Sequence, residues 1–228
     1  MRFAAWEPVY AAILDDFGYD RAADERARDR LAELATPFAE RRLAALFEGA
    51  TVAVAGGAAT LADELGPARS ADVVVAASAA ADVLIAADVG VDCVVTDLDK
   101  SPATAVELAA RGVPVAVHAH GDNGPAVERW VPRFDAANLL PTTQAAPVGP
   151  VRNYGGFTDG DRGAFLADHF GAARLSFPGW DFDDRSVGAE KARKLAWAER
   201  LLAWLERRRD ERFAVLDGRR AAIEPVPA

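Results

Sequence analysis

Two aspartates stand one residue apart at the end of an apolar run, Val91-Asp92-Cys93-Val94-Val95-Thr96-Asp97-Leu98-Asp99-Lys100. Cys93, Val94 and Val95 read as the end of a buried strand, and Thr96 to Asp99 as the mouth of its sheet. Continued in extended geometry, the segment places Asp97 and Asp99 on the same side. Two carboxylates that close repel, and a bound divalent cation is the usual remedy; the alternative is two solvated loop residues. A second cluster, His118-Ala119-His120-Gly121-Asp122-Asn123, follows another apolar run. His118-x-His120 invites zinc, but a third ligand of suitable spacing is missing, because Cys93 lies mid-strand and His169 on a helix. Asp97, Asp99 and Asp122 form an oxygen-only set, which suits Mg²⁺. Magnesium with few protein ligands usually completes its shell with phosphate, which points to phosphoryl or nucleotidyl chemistry.

Anion-binding features accompany these carboxylates. Gly56-Gly57 follows a strand and precedes a helix, so its backbone N–H groups are placed to approach an anion or merely to turn the chain. Neither GxGxxG nor a Walker A pattern is present. The stretch Asn153-Tyr154-Gly155-Gly156-Phe157-Thr158-Asp159-Gly160-Asp161-Arg162 is too polar and too rich in glycine for a core. Arg162 is suited to forked phosphate binding. Only Lys100, Lys191 and Lys194 are lysines; the other 23 of the 26 basic residues are arginines. Lys191 and Lys194 share a helix face, and their rarity favours an anion-facing role over a merely solvated one.

The elements that must position these groups alternate from Thr51 onward. Strands are expected at 51–55, 72–76, 92–95 and 113–117, with helices at 61–65, 79–86, 102–110 and 124–131. Strand followed by helix, four times over, predicts an α/β fold: an open, mostly parallel sheet with helices on both faces. The strands are nearly all apolar, as strands covered on both faces should be. Ligands of such sheets bind at the carboxyl ends of the strands, where the polar clusters fall. A short strand at 138–140, a helix at 158–170 with Thr158 and Asp161 as a capping box, and a strand at 173–177 follow. Gly179-Trp180-Asp181 ends that strand, a helix spans 187–208, and 213–216 reads as a last strand. Residues 1–50 form a preceding helical segment, with helices at 5–18 and, broken near Pro37, across 21–49. This segment reads as scaffolding or as the surface of a homo-oligomer, and 51–228 as the catalytic domain.

Composition bounds the rest. A formal charge of −9 opposes general nucleic-acid binding. No apolar run approaches a membrane span, and no basic-then-apolar leader is present. The single cysteine, Cys93, excludes an intrachain disulfide and fits a cytoplasmic setting. An acidic, lysine-poor, alanine-rich chain also fits a salt-adapted cytoplasm or a GC-rich genome.

In order and spacing from about residue 50 to 205, the motifs resemble the archaeal 6-hydroxymethyl-7,8-dihydropterin pyrophosphokinase family. The resemblance rests on Thr96-Asp97-Leu98-Asp99, the 118–123 and 153–162 clusters, and Gly179-Trp180-Asp181-Phe182. The first and third motifs also resemble thiamine pyrophosphokinase. The resemblance implies Mg²⁺-dependent transfer of diphosphate from ATP to the hydroxymethyl group of a reduced pterin, with release of AMP, in tetrahydrofolate or tetrahydromethanopterin biosynthesis. It implies that Asp97, Asp99 and Asp122 hold the metal and that His120 and Asn123 lie beside the phosphates. Asn153, Gly155, Gly156, Thr158, Asp159 and Arg162 would line the nucleotide or pterin pocket, joined by Gly56, Gly57, Asp181, Lys191 and Lys194. Three positions depart from the family pattern: Gly56-Gly57-Ala58-Ala59-Thr60, Ser78-Ala79-Ala80, and Lys100 where glycine is usual. Thiamine or another alcohol as acceptor, and a non-catalytic nucleotide-binding module, are the competing expectations.

Overall fold

The computed structural model describes residues 1–227. Among these, six parallel strands form one sheet in the order β5-β4-β3-β2-β1-β6, comprising β1 (Thr51–Ala55), β2 (Val73–Ala77), β3 (Cys93–Thr96), β4 (Val115–Ala119), β5 (Leu139–Thr143) and β6 (Arg174–Ser176). The expected parallel α/β architecture holds, without an antiparallel strand among the described residues.

Side-chain alternation divides the sheet between two cores. Val52, Val54, Val75, Cys93 and Val95 face one side, where they meet α1 (Phe3–Phe17), α3 (Arg41–Phe47), α8 (Asp159–His169) and α9 (Ala189–Arg209). Ala53, Ala55, Val74, Val94 and Val117 face the other. There they meet α2 (Arg21–Leu34), α4 (Leu65–Ser70), α5 (Ala80–Ala86), α6 (Pro102–Ala110) and α7 (Gly124–Trp130). From β1 to β5 the chain crosses over by α4 to α7 on one face. It then runs through α8 on the opposite face to β6, beyond β1. The reversal at β1/β6 opens a crevice at the carboxyl ends of the strands, the usual binding edge of such sheets.

Residues 1–50 contribute to both cores. Trp6, Val9, Tyr10, Ile13 and Leu14 recur at helical spacing on α1 and are buried, and α1 stops at Gly18 in a left-handed conformation. Ala27 and Leu31 of α2 are buried on the opposite face of the sheet.

Two strand expectations shift. β4 begins two residues later than its apolar run: Pro114 has no N–H to give, and Val115 opens the ladder to Asn138 O at 2.8 Å. His118 therefore lies inside the sheet, buried, with Nδ1 3.1 Å from Thr142 Oγ1. Residues 213–216 do not add a strand. Ala214–Leu216 is a 3₁₀ turn. Its three-residue period points buried Phe213 and Leu216 to one side, and the Phe213 N–H donates to Glu206 Oε2 at 2.6 Å rather than to a neighbouring strand.

Candidate active site

β3 ends at Thr96, and the two aspartates converge by a turn rather than by extended alternation. Leu98 is buried with φ +70°, a left-handed conformation that costs a leucine roughly 1–2 kcal/mol. The Leu98 N–H donates to Thr96 Oγ1 at 2.9 Å, and the Asp99 N–H to Asp97 Oδ1 at 3.2 Å. These side-chain bonds hold the strained turn. Backbone strain of this kind concentrates at functional sites.

The third carboxylate comes from α8. Asp97, Asp99 and Asp159 each offer an oxygen, and the three oxygens lie within 4.8 Å of one another. Asp159 is the first residue of α8, so the helix sets its position. Asp122 is not part of this cluster: its side chain is 99% exposed, and its Oδ1 lies 3.9 Å from His120 Nδ1. The strand shift that buries His118 leaves Asp122 on the loop after β4, bordering the same open space as His120 and Gly121. His120 Nε2 lies 3.2 Å from Asp97 Oδ2. Because a carboxylate only accepts, that nitrogen carries the proton and Nδ1 is the free one.

Asn123 locks the two loops together rather than facing the cleft. Its Nδ2 donates to Asp97 O (2.9 Å) and His118 O (2.7 Å), and its Oδ1 accepts the His120 N–H at 3.0 Å. Asn153, Gly155 and Gly156 also build the site without lining it. Asn153 donates to Gln144 O and Ala145 O, each at 2.8 Å, and accepts from Gly155 N–H at 2.9 Å. Gly156 has φ +94°, and a Cβ there would fall 2.6 Å from Arg162 Cα. Only glycine lets this loop pass so close to α8.

Arg162 is likewise committed. Its side chain is 7% exposed; Nη1 donates to Asp159 Oδ1 at 2.9 Å and Nη2 to Gln144 Oε1 at 3.3 Å. It compensates a buried carboxylate instead of presenting a free fork to phosphate.

A cleft of about 860 Å³ opens over these groups, within the range of small-molecule sites. Of the residues singled out from the sequence, Gly57, Asp122, Thr158, Asp181, Lys191 and Lys194 line it. Gly56 reaches it through close backbone packing, since a Cβ there would meet Gly179 O at 2.4 Å. Lys100 lines it too, so all three lysines of the chain face one cleft, whereas among the described residues Arg162 alone of the arginines does. Lys194 pairs with Glu190 at 2.9 Å; among the described residues Lys100 and Lys191 form no ion pair. The acidic floor and basic rim suit a metal-bound polyphosphate.

The electrostatics of the three carboxyls fit a divalent cation. Burial disfavours the Asp97 anion, but hydrogen bonds with His120 and Asp99 and the charge of Arg162 outweigh it and hold Asp97 well below the usual carboxylate range. Burial, then the bond to Asp97 and its charge, push Asp99 up to about 6. Burial, then the charge of Asp97, push Asp159 up to about 8 against the pull of Arg162. Protons thus stand in for missing positive charge, the role a cation takes over when bound. A carboxyl raised in the folded state binds its proton more tightly there than in the unfolded chain. Its stabilising contribution is complete below about pH 4 and is lost as pH rises through the folded values near 6 and 8. We predict that Mg²⁺ raises the thermal midpoint more at pH 8 than at pH 5, measured against EDTA at each pH. An equal or larger rise at pH 5 contradicts this.

Sequence reasoning missed Asp24, Gln144 and Tyr19 at this cleft. Asp24 had a signal: it falls on the same α2 face as buried Ala27 and Leu31, one charge on an apolar stripe.

Among the described residues no helix is long and apolar enough to cross a membrane. The family model described as 6-hydroxymethylpterin diphosphokinase MptE-like matches residues 26–186. A curated protein of Methanothermobacter thermautotrophicus, named 6-hydroxymethyl-7,8-dihydropterin pyrophosphokinase, is 37% identical over 231 residues, covering 93% of this chain and 99% of its own length. Proteins of the same name from Pyrococcus furiosus and Methanocaldococcus jannaschii are 34% and 29% identical, each covering 90% of this chain and 95% and 96% of their own length.

Proposed function

The chain belongs to the 6-hydroxymethylpterin diphosphokinase MptE-like family, and from that premise we propose that it transfers diphosphate from ATP to 6-hydroxymethyl-7,8-dihydropterin. The products are the pterin diphosphate and AMP, a step toward tetrahydrofolate or tetrahydromethanopterin. One observation carries the reading: three converging carboxylates share a cleft with every lysine of the chain.

The pterin hydroxymethyl oxygen attacks the β-phosphorus of ATP. The bond from that phosphorus to the α,β-bridging oxygen breaks, and AMP leaves. Asp97, Asp99 and Asp159 hold Mg²⁺, which when bound supplies positive charge to phosphate oxygens as negative charge develops. Lys100 of the β3 turn and Lys191 of α9, free of ion pairs among the described residues, fix the polyphosphate from two sides. His120 Nδ1, with Nε2 engaged by Asp97, takes the alcohol proton or passes it to solvent. Asp97 stabilises the imidazolium that results.

The test is AMP release from ATP and Mg²⁺ with reduced 6-hydroxymethylpterin, thiamine and no acceptor in parallel. Pterin-dependent AMP is expected. Thiamine-dependent AMP alone, or none with any acceptor, overturns the proposal. Lys100→Met and Lys191→Met should each raise the KM for ATP about tenfold, from the ~1.5 kcal/mol of one charge-assisted bond, with a smaller effect on kcat. Unchanged KM values in steady-state kinetics remove these lysines from the phosphate site.

A further inference from the structure

We propose that Asp24, on the N-terminal helix α2, is a positioning residue that sets two parts of the carboxylate site at once through a buried polar relay. Asp24 is 2% exposed and, among the described residues, forms no ion pair. Its Oδ1 accepts the Gly121 N–H at 2.6 Å, which pins the loop that carries His120 to Asp97. Its Oδ2 accepts Tyr10 Oη–H at 2.7 Å and Gln144 Nε2–H at 2.8 Å. Gln144 Oε1 in turn accepts from Arg162, which donates to Asp159. The order of groups is therefore carboxylate, amide, guanidinium, carboxylate.

Each link admits one hydrogen-bonding sense. A carboxylate only accepts and a guanidinium only donates, so Gln144 between them must turn its NH₂ to Asp24 and its oxygen to Arg162. Asp24, Gln144 and Arg162 are buried, so an unmatched donor or acceptor among them is costly. The docking of α1 and α2 thereby reaches the metal ligands from two directions, through Gly121–His120–Asp97 and through Gln144–Arg162–Asp159. The inference rests on the metal-site reading above, and the relay can be tested apart from it.

Asp24→Asn has nearly the same shape but reverses one polarity. If the new side chain's oxygen keeps the Gly121 N–H, its NH₂ faces Gln144, which must turn over and set its own NH₂ against Arg162. If the amide flips, NH₂ meets the Gly121 N–H. Gln144→Glu repairs the first case, since a carboxylate there accepts both from the amide introduced at position 24 and from Arg162. Alone, Gln144→Glu sets two carboxylates face to face.

Mn²⁺ binding to the full chain, followed by the EPR signal of the free ion, reads the positioning without turnover. Either single substitution should weaken Mn²⁺ about tenfold or more, the usual cost of losing an outer partner of a metal site. The double variant Asp24→Asn/Gln144→Glu should recover to about the wild-type affinity. Wild-type affinity in Asp24→Asn, or no recovery in the double variant, overturns the proposal. If Asp24→Asn alone fails to fold, recovery of a folded, Mn²⁺-binding chain on adding Gln144→Glu supports the relay, and failure to recover overturns it. Absence of Mn²⁺ binding by the wild type would overturn the metal reading instead. Hydrogen exchange at the Gly121 amide then decides the relay: protection lost in Asp24→Ala and kept in the double variant supports it, and protection kept in Asp24→Ala overturns it.

Discussion

Asp99→Asn abolishes diphosphate transfer while the metal-free protein melts at the same temperature or higher. Asp99 stands at the cleft floor, accepts at most a long 3.5 Å bond from Ser78, and faces Asp97 and Asp159. Its ionisation is held back by burial of the carboxyl and by Asp97. Removing its charge relieves repulsion in the folded protein, so stability does not fall. It also removes one of the three oxygens proposed to hold Mg²⁺. The loss expected is about 3 kcal/mol or more of transition-state stabilisation, over a hundredfold in kcat/KM. Gain of stability with loss of activity is the signature of a strained functional site rather than a structural one. Asp122→Asn provides the contrast: with its side chain in solvent and outside the cluster, its loss of kcat/KM should be far smaller. Steady-state kinetics and thermal melts in EDTA decide both. If Asp122→Asn is as damaging as Asp99→Asn, the cation is held by a set that includes the β4 loop.

The distribution of these outcomes reflects what sequence can encode locally. The parallel sheet was legible because its strands are short apolar runs separated by helical stretches, and covering both faces demands that pattern. Asp97 and Asp99 were legible because they end such a run. The convergence of their side chains was right for the wrong reason. The cause is a left-handed Leu98, and nothing in an Asp-Leu-Asp triplet announces a positive φ for leucine. The third carboxylate was misplaced because proximity across the sheet edge depends on how far α8 leans over β3. That lean depends in turn on Gly156 and Gly163 admitting close contact. Asn153 and Asn123 looked like ligand-binding residues because their surroundings are polar. Their amides are consumed in holding loops together, a distinction that only the partners' positions reveal. Lysine rarity is a compositional signal of another kind: a chain that relies on arginine elsewhere places all three lysines at one cleft. The N-terminal helices were underestimated because their periodicity predicts burial but not what they bury against.

Arg162→Met lowers the stability of the metal-free protein by about 1–2 kcal/mol at pH 9, where Asp159 is ionised in the wild type and each unit of pH above its folded value adds about 1.4 kcal/mol of dependence on its partner. Methionine keeps much of the length and apolar stem that packs beneath Gly156 but brings no charge. Asp159, with a side chain 13% exposed, is then left beside Asp97 and Asp99 with no cation in contact. Its carboxyl, already raised by burial and by Asp97, rises further once the opposing pull of Arg162 is gone. A carboxyl raised in this way is stable as the neutral acid, so the deficit relative to wild type is small at pH 5 and grows as pH rises through and beyond 8. Saturating Mg²⁺ returns part of the loss at pH 9 by replacing the missing charge. Urea unfolding of both proteins at pH 5 and pH 9, with EDTA and with Mg²⁺, measures all four quantities. A deficit of equal size at both pH values, untouched by Mg²⁺, would show that Arg162 matters for the packing of its stem. A deficit that follows pH and metal places its guanidinium as the fixed cation around which the three carboxylates are assembled.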